Sequence, residues 1–223
     1  MKKFAFILLL LTLLTSCITT TSSTELTLDE QQVLKSTLIS TEVTALKSLN
    51  ANKIALSLAK NFAFNNSITY YAMLPQYNNL ISNLRADLSV LFEEAIKQEV
   101  ILMEDYINQL EITNPQLFLQ EGYQSVSWYV ERQLKDKISS NFSTFIEKSK
   151  DGYLVNSFAS FSQEAMIWRE NQIVLSAIKK IEVPVVPQLP NNTYLTTLLT
   201  ESFLTELAFS EQRIRTSFST ELQ

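Results

Sequence analysis

Glycine occurs only twice in the 223 residues, at positions 122 and 152. That scarcity constrains the fold more than any other feature, because an average protein is near 7% glycine. Tight hairpins, phosphate-cradling loops and dinucleotide-binding turns all use the positive φ that glycine adopts without steric penalty. A chain almost without glycine is directed to an all-α fold.

The apolar spacing agrees and predicts an irregular bundle of about seven helices. Thr27-Leu28-Asp29-Glu30 matches a capping box, and Leu34, Leu38, Thr41, Ala45 and Leu49 carry the helix to about Asn50. A second helix has Ile54, Leu58 and Phe62 on one face and breaks at Asn65-Asn66-Ser67. Ile68 to Met73 reads as an extended connector, since the residue before Pro75 avoids the α region. From Asn78, Leu80, Leu84, Leu88, Leu91, Ala95, Gln98, Leu102, Tyr106 and Leu110 mark a long helix. Asn114-Pro115 opens a short helix that Gly122 closes.

Ser125 to Lys150 is the next helix, with Trp128, Leu134, Ile138, Phe142, Phe145 and Ile146 largely on one face. Asp151-Gly152 ends it, and Tyr153 to Lys180 follows. Pro184, Pro187 and Pro190 make an extended strap, and Asn192 caps a last helix from Tyr194 to about Thr216. No internal repeat is present.

The first residues carry an address. Lys2 and Lys3 precede an apolar run from Phe4 to Leu14, too short for the ~20 residues that span a bilayer. Leu14-Thr15-Ser16-Cys17 then resembles the bacterial lipobox, in which cleavage between Ser16 and Cys17 leaves a cysteine that receives fatty acyl groups such as palmitate. Two or more acyl chains make a stable anchor. An ordinary secretory signal or an uncleaved anchor are the alternatives. The sequence thus divides into a lipoprotein signal peptide (1–16), an acylated Cys17 with a flexible Ser/Thr tether (17–26) and one helical domain (27–223). Ile18 stands where an aspartate would retain many such proteins at the inner membrane. The expected location is therefore the outer membrane, facing the periplasm.

Composition narrows the function. Removal of residues 1–16 takes away two lysines and no acid, leaving 16 basic against 23 acidic side chains and a net charge of −7. That balance argues against nucleic acid and against docking on anionic lipid by charge. The mature chain of about 207 residues suits one domain with a sound core. There is no histidine and only one cysteine. With Cys17 acylated, histidine and thiolate catalysis and the commonest metal ligands are excluded, so no catalytic residue, metal or cofactor is assigned.

Tyr194-Leu195-Thr196, followed by Ala208, Glu211, Ile214 and Arg215, resembles the C-terminal block of the bacterial family called domain of unknown function 4197. Gly122 with Ser125 to Val130, continued by Ile138 and Phe142, is similar to its middle block. Ala45 to Leu49, and Phe64-Asn65-Asn66 with Leu74-Pro75, resemble its earlier blocks. The matches span residues 44–215. Gln133-Leu134 replaces the family's basic–threonine pair, Thr144 replaces a proline, and 76–112 is shorter than its counterpart. The resemblance implies an exported, mostly helical, often lipidated domain and no particular activity.

Three groups of residues invite a role. Glu211 and Arg215 match the family and stand four apart on the last helix, the spacing of a solvated salt bridge; the alternative is that Arg215 inserts into a polar contact with another helix or an anionic ligand. Tyr70, Tyr71 and Tyr77 flank Leu74-Pro75, and Tyr123, Trp128 and Arg132 follow Gly122; both sets are candidates for an aromatic groove or for core packing. Glu93, Glu94, Glu99, Glu104 and Asp105 read as a charged outer face. The expectation is a non-enzymatic interaction or structural module of the cell envelope, partnered by the membrane through Cys17 and by an envelope protein. A carrier or sensor of an apolar small molecule is the alternative. A hydrolase acting through two buried carboxyls is the third reading.

Overall fold

The computed structural model describes residues 27–63, 71, 72, 74, 76–112, 124–179, 186 and 190–221, with side chains at 59–63, 175–179 and 214–221 left aside. Among the described residues there are six helices and no strand: α1 (Leu28–Ser48), α2 (Ala51–Ala63), α3 (Tyr77–Gln109), α4 (Ser125–Gln133), α5 (Lys135–Lys179) and α6 (Asn192–Glu221). The expected short helix at 115–122 lies outside them.

The capping box forms as the sequence predicts. Thr27 Oγ1 accepts from the Glu30 backbone N–H at 3.3 Å, and the Glu30 carboxylate accepts from the Thr27 N–H at 2.9 Å. Those bonds hold the Glu30 carboxyl below its usual range. Leu49 leaves α1 in an extended conformation, and Asn50 Oδ1 caps α2 by accepting from the Lys53 N–H at 2.9 Å. At the last helix, Asn191 rather than Asn192 is the cap: its Oδ1 accepts from the Tyr194 N–H at 2.8 Å.

Around Leu74 the chain turns instead of extending. The Leu74 N–H donates to Tyr71 O at 2.9 Å and the Tyr77 N–H to Leu74 O at 3.1 Å. Gln76 follows at φ 65°, a left-handed conformation that only a tight turn imposes on a residue with a Cβ.

The expected break at Gly152 is absent. α5 runs 45 residues straight through it. An exposed glycine can stay helical at a penalty of about 1 kcal/mol, which the packing on either side outweighs. The break falls instead at Leu134, where φ reaches −117°. Helical hydrogen bonds still pass from Leu134 N–H to Val130 O and from Ile138 N–H to Leu134 O. Leu134 is fully buried, so the bend follows its insertion into the core.

α3 and α5 form the spine. They are antiparallel, since Glu99 meets Asn141 near one end while Leu80 joins Phe161 and Ala165 near the other. α1 and α2 pack on α3, α6 packs on α1 and α5, and α4 bridges α5 and α6. The main core draws on all six helices, through Leu46, Leu58, Phe92, Val130, Phe142 and Phe203 among others. A smaller core joins Tyr71, Leu74 and Leu80 to Phe161 and Ala165, with Val186 packed against it, while Pro184 and Pro187 of the expected strap lie outside the described residues.

The buried face of α3 departs from the expected stripe beyond Ala95. Glu99, Met103 and Ile107 are buried, whereas Leu102 is 44% exposed. α3 touches α1, α2 and α5, so its buried face is wider than one stripe and follows the helices that cover it.

Candidate functional site

α1 and α3 bring two carboxyls into the core. Glu42 and Glu99 are each 1% exposed. Neither oxygen of Glu42 has a hydrogen-bond partner, and Glu99 has one, the Asn141 side-chain amide, which donates to its Oε1 at 3.3 Å. Buried carboxyls without donors favour the protonated form. Burial pushes both acids up to about 8, and the neighbouring Glu99 charge adds to the rise at Glu42. The Asn141 amide and the Lys137 charge pull Glu99 partly back.

Tyr129 borders the pair from α4, its phenol raised by burial first and then by Tyr106 and Glu42. Lys137 projects from α5 with Nζ 5.5 Å from the centre of the Tyr106 ring. The arrangement is therefore a proton-holding carboxyl pair in an apolar wall. A neutral carboxyl at pH 7 is a hydrogen-bond donor and the raw material of a general acid. Catalysis would also need a substrate to reach it, and the three unpartnered oxygens are sealed from solvent.

A third buried acid has a different task. Glu211 is 3% exposed on α6 and accepts from the Val126 N–H at 3.0 Å, the Ser127 N–H at 2.8 Å and Ser127 Oγ at 2.7 Å. It caps α4 from another helix, satisfying first-turn N–H groups in the favourable field of a helix N-terminus. Glu211 itself is therefore buried against another helix. The side chain of Arg215 lies outside the described residues.

The aromatic candidates separate into two places. Tyr71 is fully buried in the smaller core, its ring centre 5.7 Å from that of Trp168, and Tyr77 packs half-buried beside it with its phenol raised by burial. Trp128 and Arg132 sit on α4, just before the opposite end of α5, with the guanidinium 4.6 Å from the centre of the indole ring. Trp128 is 40% exposed. The two sets do not line one groove. Tyr70, Tyr123, Ser16 and Cys17 lie outside the described residues.

Two clefts escape the sequence reading. One of about 730 Å3 lies where α1 passes into α2, against Glu93, Ile96 and Lys97 of α3. Another of about 400 Å3 separates α5 from α6 and is lined by hydroxyls, including Ser139, Ser143, Thr193 and Thr196. Neither is lined by Glu42 or Glu99. Among the described residues no group of three acidic, histidine or cysteine side chains is placed to hold a metal ion, and no helix is long and apolar enough to cross a membrane. No protein-family model matches the chain, and no curated protein or solved structure is significantly similar to it.

Of these features, Glu211 was legible as a position worth watching, and the Glu42–Glu99 pair was not. Glu42 stands beside Thr41 in an amphipathic run, and Glu99 sits in a series of acids that reads as solvent-facing. Only the helices that cover them distinguish them from their neighbours.

Proposed function

We propose that this chain is an exported bacterial lipoprotein, held at the outer membrane by acyl groups on Cys17 and facing the periplasm. Its helical body, read as akin to the family of domain of unknown function 4197, serves as a non-enzymatic interaction or structural module of the envelope. One observation carries the reading: Leu14-Thr15-Ser16-Cys17 closes an apolar run too short to span a bilayer, and its cysteine is the only one in the chain. The net charge of −7 after cleavage supports attachment by lipid rather than by charge.

Among the described residues, the buried acids lend a hydrolase reading no support. Glu211 is spent on a helix cap, and the Glu42–Glu99 oxygens are sealed. A carrier of apolar ligands draws no support from the two clefts, whose walls include hydroxyls and the Glu93–Lys97 ion pair.

Metabolic labelling with palmitate tests the anchor. The chain takes up label and fractionates with membranes, and Cys17→Ala loses both. Equal membrane recovery and labelling of Cys17→Ala would refute it.

A further inference from the structure

α1 holds to the bundle by a face that is partly polar. Its buried residues are Leu38, Thr41, Glu42, Ala45 and Leu46. Both oxygens of Glu42 and Oε2 of Glu99 are sealed from solvent without a hydrogen-bond partner. A buried polar group left unpaired stores strain. The two acids stand on different helices, so charge on them drives α1 from α3 rather than straining either helix alone.

The joint after α1 lets it move by itself. Leu49 is extended, at φ −62° and ψ 128°, and its N–H closes α1 on Ala45 O and Leu46 O. Asn50 starts α2 by accepting from the Lys53 N–H at 2.9 Å and the Ile54 N–H at 3.0 Å. Rotation about Leu49 therefore leaves both helices capped, with α2 still on α3 and α3 still on α5. The groups that face the acids are few. α3 brings Tyr106, α4 Tyr129 and α5 Lys137, whose charge acts on Glu99. α6 also packs on α1, but it turns Glu211 to Val126 and Ser127 and pairs Glu201 with Lys135 and Glu206 with Arg213. On α1 itself Lys35 donates to Asn108 O, and Lys47 is exposed.

We propose that α1 is a latch held by protons: it lies closed on α3 while Glu42 and Glu99 are neutral, and swings out about Leu49 when they ionise. Burial raises both acids from 4.5 to about 8, and exposure returns them to the ordinary range. Opening therefore releases protons between about pH 4.5 and 8, and the closed state weakens as pH rises through that window. Each carboxyl freed makes the opening constant climb about tenfold per pH unit. On the lipid-anchor reading α1 is the element that carries the tether, so its 21 residues, about 32 Å of helix, become added reach between membrane and body. The latch itself does not depend on that reading.

Hydrogen exchange by mass spectrometry on the full chain, from pH 5 to 8 and corrected for the intrinsic pH dependence of amide exchange, tests it. Protection over 30–48 falls about tenfold or more per pH unit, while α5 amides over 138–161 stay at least tenfold more protected at every pH. Glu42→Gln, or Glu99→Gln should the first variant fail to fold, raises α1 protection at pH 7.5 at least tenfold. Glu104→Gln, at an exposed acid of α3, keeps the parent pattern. Protection of α1 that does not fall with pH, α1 and α5 exchanging at equal rates throughout, or Glu104→Gln acting as Glu42→Gln does, overturns the latch. Failure of the anchor is read separately: Cys17 then carries no acyl group, and the exchange pattern is unchanged.

Discussion

Replacing Glu42 by glutamine should make the protein more stable at neutral pH and remove much of its pH dependence. Folding raises both Glu42 and Glu99 from 4.5 to about 8. Between those values the folded state holds protons that the unfolded chain has released. Stability is therefore full below about pH 4.5, falls as pH rises, and reaches its floor above about pH 8. At pH 7 the gap from 4.5 is about 2.5 pH units, or about 3 kcal/mol per carboxyl at ~1.36 kcal/mol per unit. The two acids interact, so their contributions do not simply add.

Glutamine keeps the shape and polarity of the protonated acid and does not titrate. Glu42→Gln should exceed the parent by only about 1 kcal/mol at pH 5 and by about 3 kcal/mol at pH 7, the latter a Tm rise of roughly 6–12 °C for a domain of this size. The chain has no histidine, and Glu99, also raised to about 8, keeps the remaining pH dependence of the variant in that window. Thermal unfolding followed by far-UV circular dichroism at pH 5, 6, 7 and 8 measures it. A parent Tm that is flat or rising from pH 5 to 8, or a Glu42→Gln variant less stable than the parent at pH 7, would refute the reasoning.

Two further substitutions probe the helices. A Cβ at Gly152 meets no atom within 4 Å, so Gly152→Ala in mid-helix should add about 0.5–1 kcal/mol in urea unfolding. Glu211→Ala strips the acceptor from the Val126 and Ser127 N–H groups and should cost about 3 kcal/mol. Glu211→Gln, which retains one acceptor oxygen, should cost about half as much. Hydrogen exchange at those two amides should rise with each loss.

How much was legible follows from the scale of each signal. The α class, the Thr27 cap and the first two helices follow from local chemistry: glycine scarcity, a side-chain oxygen beside an N–H, and apolar spacing. Gly152 misleads because its local penalty is smaller than the packing of Phe142 and Ile146 before it and Leu154 and Phe161 after it. Leu134 is the reverse case, a good helix former bent by the core that receives it.

The buried acids were harder. Nothing within four residues of Glu99 distinguishes it from Glu104, and only α1 and α5, closing over one and not the other, set them apart. Glu211 illustrates the middle ground. Its position was visible as a polar residue of the last helix, while its role depends on the start of α4, 84 and 85 residues away.

The central claim is that the body hangs from an acylated Cys17, and intact mass measurement of the chain purified from membranes tests it most directly. The account predicts an N-terminus at Cys17 with the mass of residues 17–223 plus a diacylglyceryl group and an amide-linked acyl chain. A free thiol at Cys17, a chain that retains Met1, or cleavage at any other bond would contradict it.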